Sequence, residues 1–320
     1  MNKKIFIVTG DPNSINSELI FKAWKKLSTP VRKKIILIGN HRLIDNQRKR
    51  LNYKINLALI KNIDEKKRNN YLKIIDFPLK FSNCFKVNKN QASNYVKGCL
   101  NLAHNICIKN DIKGFINCPI SKNLIRKRGI YGVTEYLAKK NLSNKFVEVM
   151  LLYNKKLSVV PLTTHLKIKE VSKNLKKDLV VKKVKTLISY YYKLFNKKPK
   201  IAVLGLNPHN CELEKDSEEI KIIIPAIKKL KKFCSIKGPM IADNFFKEDY
   251  KKYDVVIGMY HDQVLIPFKH LFKFDAINIT LGLNYTRVSP DHGTASEIIG
   301  KNIASMKSLY ECINFINKIN

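Results

Sequence analysis

An α/β fold built on a mainly parallel sheet is predicted by three observations. Short runs rich in Val, Ile and Leu recur along the chain, among them Ile5-Phe6-Ile7-Val8, Ala202-Val203-Leu204 and Val255-Val256-Ile257. Runs so uniformly apolar suit strands covered on both faces rather than strands with one wet side. Amphipathic helical segments alternate with them, and strand-helix alternation builds parallel sheets through crossover helices. Finally, 320 residues at 45% hydrophobic content provide enough apolar surface for two such lobes or one large one.

Taken in order, residues 5–9 read as a first strand. The turn Gly10-Asp11-Pro12-Asn13-Ser14 follows, then an amphipathic helix over 17–27. Residues 34–39 form a second strand. Between 52 and 90 short apolar pieces are scattered among Lys and Asn, and only a strand near 72–77 stands out. A helix over 91–109 leads to a strand at 114–119. Three strand-like runs lie between 147 and 208, with a long helix over 179–195 before the last of them. Then come a helix over 217–233, a turn at Gly238-Pro239, a strand ending at His261, a strand over 276–280, a polar loop through Gly293 and closing helical turns over 306–319. No internal repeat or low-complexity linker interrupts the pattern.

The net charge of +36 and pI near 9.9 invite a nucleic-acid reading. Yet only eight of the 61 basic residues are Arg, the residue whose bidentate fork reads bases and phosphates, and the lysines are spread over nearly every helical segment. Solvated lysine faces are therefore expected, and no nucleic-acid partner. Seven cysteines, odd in number and without a CxxC pair, argue against a disulfide framework. No stretch approaches the roughly eighteen apolar residues of a membrane helix, and no small-residue cleavage site follows Met1-Asn2-Lys3-Lys4. A cytoplasmic protein with no membrane partner is the expectation.

Three histidines sit at the carboxyl ends of separate apolar runs. His165 follows Val159-Val160-Pro161-Leu162-Thr163-Thr164, His209 follows Ala202-Val203-Leu204-Gly205-Leu206-Asn207-Pro208, and His261 follows Val255-Val256-Ile257-Gly258-Met259-Tyr260. Open α/β sheets gather ligands along that edge, so imidazoles far apart in the chain can meet there around one divalent ion. Zinc, cobalt and nickel suit imidazoles, magnesium less readily. Taken singly, each ring is as well explained as the cap of its own strand. Arg287 is a rare guanidinium in a lysine-rich chain, which points to bidentate grip on a carboxylate or phosphate.

No GxGxxG occurs, so a Rossmann site is not supported. Instead, Asp291-His292-Gly293-Thr294-Ala295-Ser296-Glu297-Ile298-Ile299-Gly300-Lys301 resembles the dinucleotide-binding loop of the isocitrate and isopropylmalate dehydrogenase fold. Together with Gly205-Leu206-Asn207-Pro208-His209, Met259-Tyr260-His261-Asp262-Gln263, Asn278-Ile279-Thr280-Leu281-Gly282-Leu283 and Thr163-Thr164-His165-Leu166, it makes the chain similar to the 4-hydroxythreonine-4-phosphate dehydrogenase family of vitamin B6 (pyridoxine) biosynthesis. The resemblance runs from Val8-Thr9-Gly10-Asp11-Pro12 to Gly300 and is densest after Thr163.

That resemblance implies two α/β/α lobes with mainly parallel sheets and an active-site cleft between them. One lobe, 1–118 plus 275–320, would carry the NAD loop; the other, 119–274, would carry the metal ligands and dimer contacts of a homodimer with a shared active site. His165, His209 and His261 would bind zinc, cobalt or magnesium. Thr134, Lys269, Asn278 and Arg287 would bind substrate, and His292, Gly293, Thr294, Ala295 and Glu297 would hold NAD or NADP. Lys122, Asp243 and Asp262 are candidates for proton removal, and the two aspartates also for orienting a ligand histidine.

The implied reaction is oxidation of 4-phosphooxy-L-threonine to 2-amino-3-oxo-4-phosphooxybutanoate, which decarboxylates to 3-amino-2-oxopropyl phosphate. Departures from the family pattern keep two alternatives open. Val133 stands where the family usually has His before the Thr-Glu pair, and the stretches Asp11-Pro12-Asn13-Ser14-Ile15-Asn16 and Asn210-Cys211-Glu212-Leu213-Glu214-Lys215-Asp216-Ser217 lack the usual glycines. One alternative is a dehydrogenase of a related phosphorylated hydroxy acid, threonate or erythronate phosphate. The other is a drifted non-catalytic or nucleic-acid-associated protein.

Overall fold

A computed structural model describes residues 4–319 apart from 66, 69, 111, 128–129, 131 and 141–145. Its elements, in chain order, are β1 Ile5–Val8, α1 Asn16–Lys26, α2 Thr29–Arg32, β2 Ile35–Gly39, α3 His41–Arg50, β3 Asn56–Leu59, β4 Tyr71–Asp76, α4 Lys89–Lys109, β5 Gly114–Asn117, α5 Lys122–Ile125 and α6 Val133–Ala138. They continue with β6 Val149–Tyr153, β7 Ser158–Pro161, α7 Ile168–Asn174, α8 Lys177–Phe195, β8 Ile201–Leu204, α9 Ile224–Leu230, β9 Ile236–Met240, α10 Ala242–Phe245, β10 Val255–Gly258, α11 His261–Phe272, β11 Ile277–Leu281, β12 Thr286–Pro290 and α12 Lys307–Ile319.

The chain divides into two compact units, Met1–Leu137 with Asn284–Asn320, and Ala138–Leu283. The sequence reading placed the changeovers earlier, after 118 and after 274. Strand pairing accounts for the later crossing: β11 hydrogen-bonds antiparallel to β6, from Ile277 opposite Tyr153 to Leu281 opposite Val149, and so belongs with the second unit.

In the first unit the strands run β3-β4-β2-β1-β5-β12, every pair parallel. β1, β2 and β5 are buried along their whole length, the consequence of apolar side chains on both faces. In the second unit the order is β11-β6-β7-β10-β8-β9. β7, β10, β8 and β9 are parallel, whereas β6 runs antiparallel to both neighbours, so the mainly parallel expectation holds with β6 as the exception. The core of this unit gathers Leu152, Val159, Ala202, Leu204, Val256, Val264 and Phe268, each nearly or fully buried.

Three strands were not legible in the sequence. β3 is half-exposed, and its apolar run Leu57-Ala58-Leu59 is short and set among Lys and Asn. β9 contains Gly238-Pro239, which reads as a turn; it is the last strand in its unit's order, where a proline that donates no ladder hydrogen bond is tolerated. β12 holds Arg287 and Ser289, both buried although polar. The helix expected over 217–233 begins instead with a wide, π-type turn at Glu219–Ile223 before α9. Pro225 supplies the reason, since its ring clashes with the carbonyl four residues back and it lacks the N–H of a regular turn.

No described helix is long and apolar enough to cross a membrane. All seven cysteines are free thiols, five of them buried.

Candidate active site

In the second unit β7, β10 and β8 are adjacent and parallel, so the chain leaving each carboxyl end emerges on one side of the sheet. Those three exits lead to His165, His261 and His209 respectively. Past the end of β7, Leu162 N donates to Gly258 O (2.8 Å) and Thr163 N to Met259 O (3.1 Å), with Thr163 Oγ1 adding a bond to the same carbonyl (2.7 Å). This stitching carries the two chains together to within two residues of each histidine. The His165 and His261 rings accordingly face each other with centroids 6.0 Å apart and planes 36° apart.

His261 does not close a strand, as the sequence suggested, but opens α11. Its Nδ1 lies 2.6 Å from Asp262 Oδ1. A carboxylate accepts, so Nδ1 donates and Nε2 keeps its lone pair for a ligand.

His209 is placed differently. Gly205 and the loop after it are held firmly: Gln263 Nε2 donates to Gly205 O (2.7 Å) while Met259 N donates to Gln263 Oε1 (2.7 Å). Glu219, fully buried, accepts from Leu206 N (2.7 Å), Asn207 N (3.0 Å) and Asn207 Nδ2 (2.9 Å). Beyond Pro208 the backbone turns left-handed, with φ of 49° at His209, 58° at Asn210, 49° at Cys211, 44° at Glu212 and 59° at Leu213. His209 is exposed, and no three His, Cys, Asp or Glu side chains among the described residues are grouped as a metal ion requires. The structure therefore gathers two of the three expected imidazoles. The third stands on the segment where glycines, free to adopt positive φ, are replaced by residues with side chains.

Other expected residues of this unit are spread around the same secondary structure. Asp243 is exposed in α10, and Lys269 is exposed in the last turn of α11. Asn278 in β11 presents a buried Oδ1 with no hydrogen-bond partner among the described residues. A buried amide oxygen of that kind is costly unless something donates to it.

In the first unit, Arg287 on β12 is 4% exposed and donates Nε to Asn117 Oδ1 at the end of β5. Burial pulls its guanidinium down to about 10, against the opposing charges of Cys312, Glu135 and Tyr285. Thr134 is half-buried in α6, next to Glu135. Lys122 is exposed at the start of α5. Its approach is set by the turn after β1, where Asp11 accepts from Asn13 N (2.9 Å) and from Ser121 N (3.2 Å) and burial pushes the carboxyl up. Gly10 at φ 75° is required there, because a Cβ would lie 2.6 Å from Pro119 O.

The loop expected to hold a dinucleotide, His292 to Glu297, is largely open. Gly293 has nothing within 4 Å of where a Cβ would stand, Ala295 is left-handed at φ 47°, and Ser296–Ile298 makes one tight helical turn. It is tied just before its start by Asp291 N to Ser308 Oγ (3.0 Å) and within it by Ile15 N to Thr294 O (3.2 Å). Sequence reasoning missed Asn117, Glu219 and Gln263. Only Gln263, inside Met259-Tyr260-His261-Asp262-Gln263, lay in a segment already singled out.

Two α/β units, one bearing paired imidazoles beyond parallel strands and the other an open glycine-threonine loop without a Rossmann fingerprint, define the isocitrate dehydrogenase-like class. An isocitrate dehydrogenase from Methylococcus capsulatus has this fold, covering 98% of this chain and 85% of its own at 10% identity and TM-score 0.52. The chain belongs to the family described as Pyridoxal phosphate biosynthetic protein PdxA, whose profile matches residues 31–316, and it is an oxidoreductase. A 4-hydroxythreonine-4-phosphate dehydrogenase of Aquifex aeolicus (strain VF5) is 37% identical over 328 residues, 100% of this chain and 99% of the relative. The crystal structure of the enzyme of that name from Klebsiella pneumoniae is 28% identical, with TM-score 0.85 over 100% of this chain and 98% of that one. A D-threonate 4-phosphate dehydrogenase of Pectobacterium atrosepticum is 32% identical over 324 residues, 97% of both chains.

Proposed function

We propose that the protein oxidises the C3 hydroxyl of 4-phosphooxy-L-threonine with NAD, aided by a divalent metal ion, and that the resulting β-keto acid loses CO₂. We further infer that it does so in the cytoplasm as a homodimer. The observation that carries the reading is the His165–His261 pair, 6.0 Å between ring centroids, with His261 oriented by Asp262. Family membership supports the same reaction, through relatives named for it.

The donor set fits a divalent ion: two imidazoles are side by side, one with its free nitrogen chosen by a carboxylate, and His209 lies one residue beyond the anchored loop at Asn207-Pro208. When bound, the ion would lower the pKa of the substrate hydroxyl and polarise the ketone, and NAD would take the hydride. The chain's own residues have separable tasks. Asn278 Oδ1 accepts a hydrogen bond from the substrate's amino or hydroxyl group, which satisfies an oxygen otherwise without a donor. Arg287, aimed by Asn117 and made costly to bury by desolvation, gains most from an anion, and Lys269 meets a second. Thr134 donates to a phosphate oxygen. Asp243 or Lys122 takes the hydroxyl proton, while Asp262, already bonded to His261, keeps that ring in place. His292, Gly293, Thr294, Ala295 and Glu297 hold the dinucleotide.

Val133, half-buried beside Thr134, and the D-threonate relative favour a second reading, oxidation of threonate or erythronate phosphate. NADH formation is to be followed by absorbance with each phosphorylated acid, before and after chelation, in wild type and His165→Ala. The expected result is turnover of 4-phosphooxy-L-threonine that falls at least about a thousandfold in the variant. Preference for threonate 4-phosphate would install the second reading; turnover unaffected by chelator and variant would sink the metal site.

A further inference from the structure

The loop from Asp291 to Ala304 is anchored at its far end by a charge pair, its acid buried and its lysine partly so, that none of the chemistry above uses. Glu18, 1% exposed, lies one turn before Lys22 on α1. Glu18 Oε1 accepts from Lys22 Nζ (2.7 Å) and from Ala304 N (2.7 Å). Lys22 Nζ also donates to Asn302 O (2.9 Å) and Ala304 O (2.9 Å), so each of its three protons has an acceptor. Tyr53 donates its hydroxyl to Asn302 Oδ1 (2.5 Å), and burial, then the charge of Glu18, pushes that hydroxyl's pKa up.

The partners are mostly main-chain atoms. A grip on the carbonyls of 302 and 304 and on the amide of 304 fixes where the backbone runs, whatever its side chains are. Asn302 is itself left-handed at φ 58° and follows Gly300 at φ 80°, so the chain needs holding at this bend. The same helix begins one residue after Ile15, whose amide bonds Thr294 O at the near end of the loop. α1 and its approach thus hold the chain on either side of residues 295–301, at Thr294 within the His292–Glu297 loop and at 302–304 beyond it. Exposed loops lose conformational entropy when they close on a ligand, and a loop shaped beforehand loses less.

We propose that Glu18 and Lys22, with Tyr53, are positioning residues for the dinucleotide: by clamping the backbone at 302–304 they present the His292–Glu297 loop already shaped to bind it. The proposal rests on the reading that this loop takes NAD.

Direct titration with NADH, followed by fluorescence, tests it in wild type, Lys22→Met, Lys22→Arg, Tyr53→Phe and His292→Ala, each with its melting temperature recorded. Lys22→Met is expected to weaken NADH binding about tenfold and Tyr53→Phe about threefold, with Lys22→Arg recovering most of the loss. In turnover, KM for NAD rises while kcat at saturating NAD and KM for the phosphorylated acid stay within about twofold. Should Lys22→Met fail to fold, Tyr53→Phe, which removes one hydroxyl, decides. If His292→Ala weakens NADH binding but Lys22→Met and Tyr53→Phe do not, the loop keeps its role and the clamp is refuted. If none of the three changes it, the loop is not the dinucleotide site and the clamp falls with it. A lower melting temperature with unchanged NADH affinity would reduce Glu18 and Lys22 to a structural tether.

Discussion

At the scale of single residues, the site depends on partners that fix direction. The Nδ1 of His261 is tied to Asp262 at 2.6 Å, a bond that leaves the Nε2 lone pair of the neutral ring available to an acceptor of electrons such as a metal ion. Asp262→Asn offers an amide that can accept or donate, so the ring loses its enforced tautomer. Affinity for Co²⁺, measured by calorimetry, is expected to fall about ten- to a hundredfold, with the melting temperature of the metal-free protein nearly unchanged because Asp262 is exposed. Equal affinity would make Asp262 an ordinary surface carboxylate. Glu219 and Asn117 act in the same manner from buried positions, one holding the amides ahead of His209 and the other the guanidinium of Arg287.

Among elements, the left-handed stretch from His209 to Leu213 is the most consequential. Five successive residues with side chains occupy a conformation in which Cβ crowds the following carbonyl, at roughly 1–2 kcal/mol each. Asn210 tolerates it best, and Glu212 and Leu213 point into solvent, so nothing in the packing rewards them for it. Glu212→Gly should therefore stabilise the protein by roughly 0.5–1 kcal/mol, read as a higher urea midpoint at unchanged slope. A lower midpoint would mean that the segment is not left-handed in solution. Parallel strands explain the other half of the arrangement: β7 and β10 pair in register and continue pairing through Thr163 and Met259, which is why His165 and His261 meet.

For the molecule as a whole, charge is the dominant feature. With 61 basic and 25 acidic side chains, 36 positive charges cannot be matched by a carboxylate of the same chain. Their mutual repulsion works against the compact state and is screened by salt. Raising ionic strength from about 0.01 M to about 0.15 M shortens the screening length from about 30 Å to about 8 Å. The melting temperature is expected to rise with it, by about 3 °C for each ~1 kcal/mol of repulsion removed. A flat or falling response in a differential scanning measurement would show that local pairs such as Lys22–Glu18 and Lys197–Asp254 already neutralise what matters.

The sequence by itself determined what local patterning controls. Uniformly apolar runs became the buried strands β1, β2, β5, β7, β8 and β10, and the histidines fell beyond the ends of three parallel strands because chain order alone puts them there. The glycine-poor stretch after Pro208 was legible as a difficulty too, since only glycine accepts positive φ without cost. Tertiary structure decided everything that depends on what a side chain meets. Glu18 and Glu219, which no local pattern marks out, are buried because backbone amides outside their own helical turns donate to them, Ala304 N to the first and Leu206 N and Asn207 N to the second. β9 and β12 exist because neighbouring strands pair with them despite their proline and polar residues. Whether three imidazoles converge is likewise a matter of backbone path, which after Pro208 runs left-handed from His209 to Leu213.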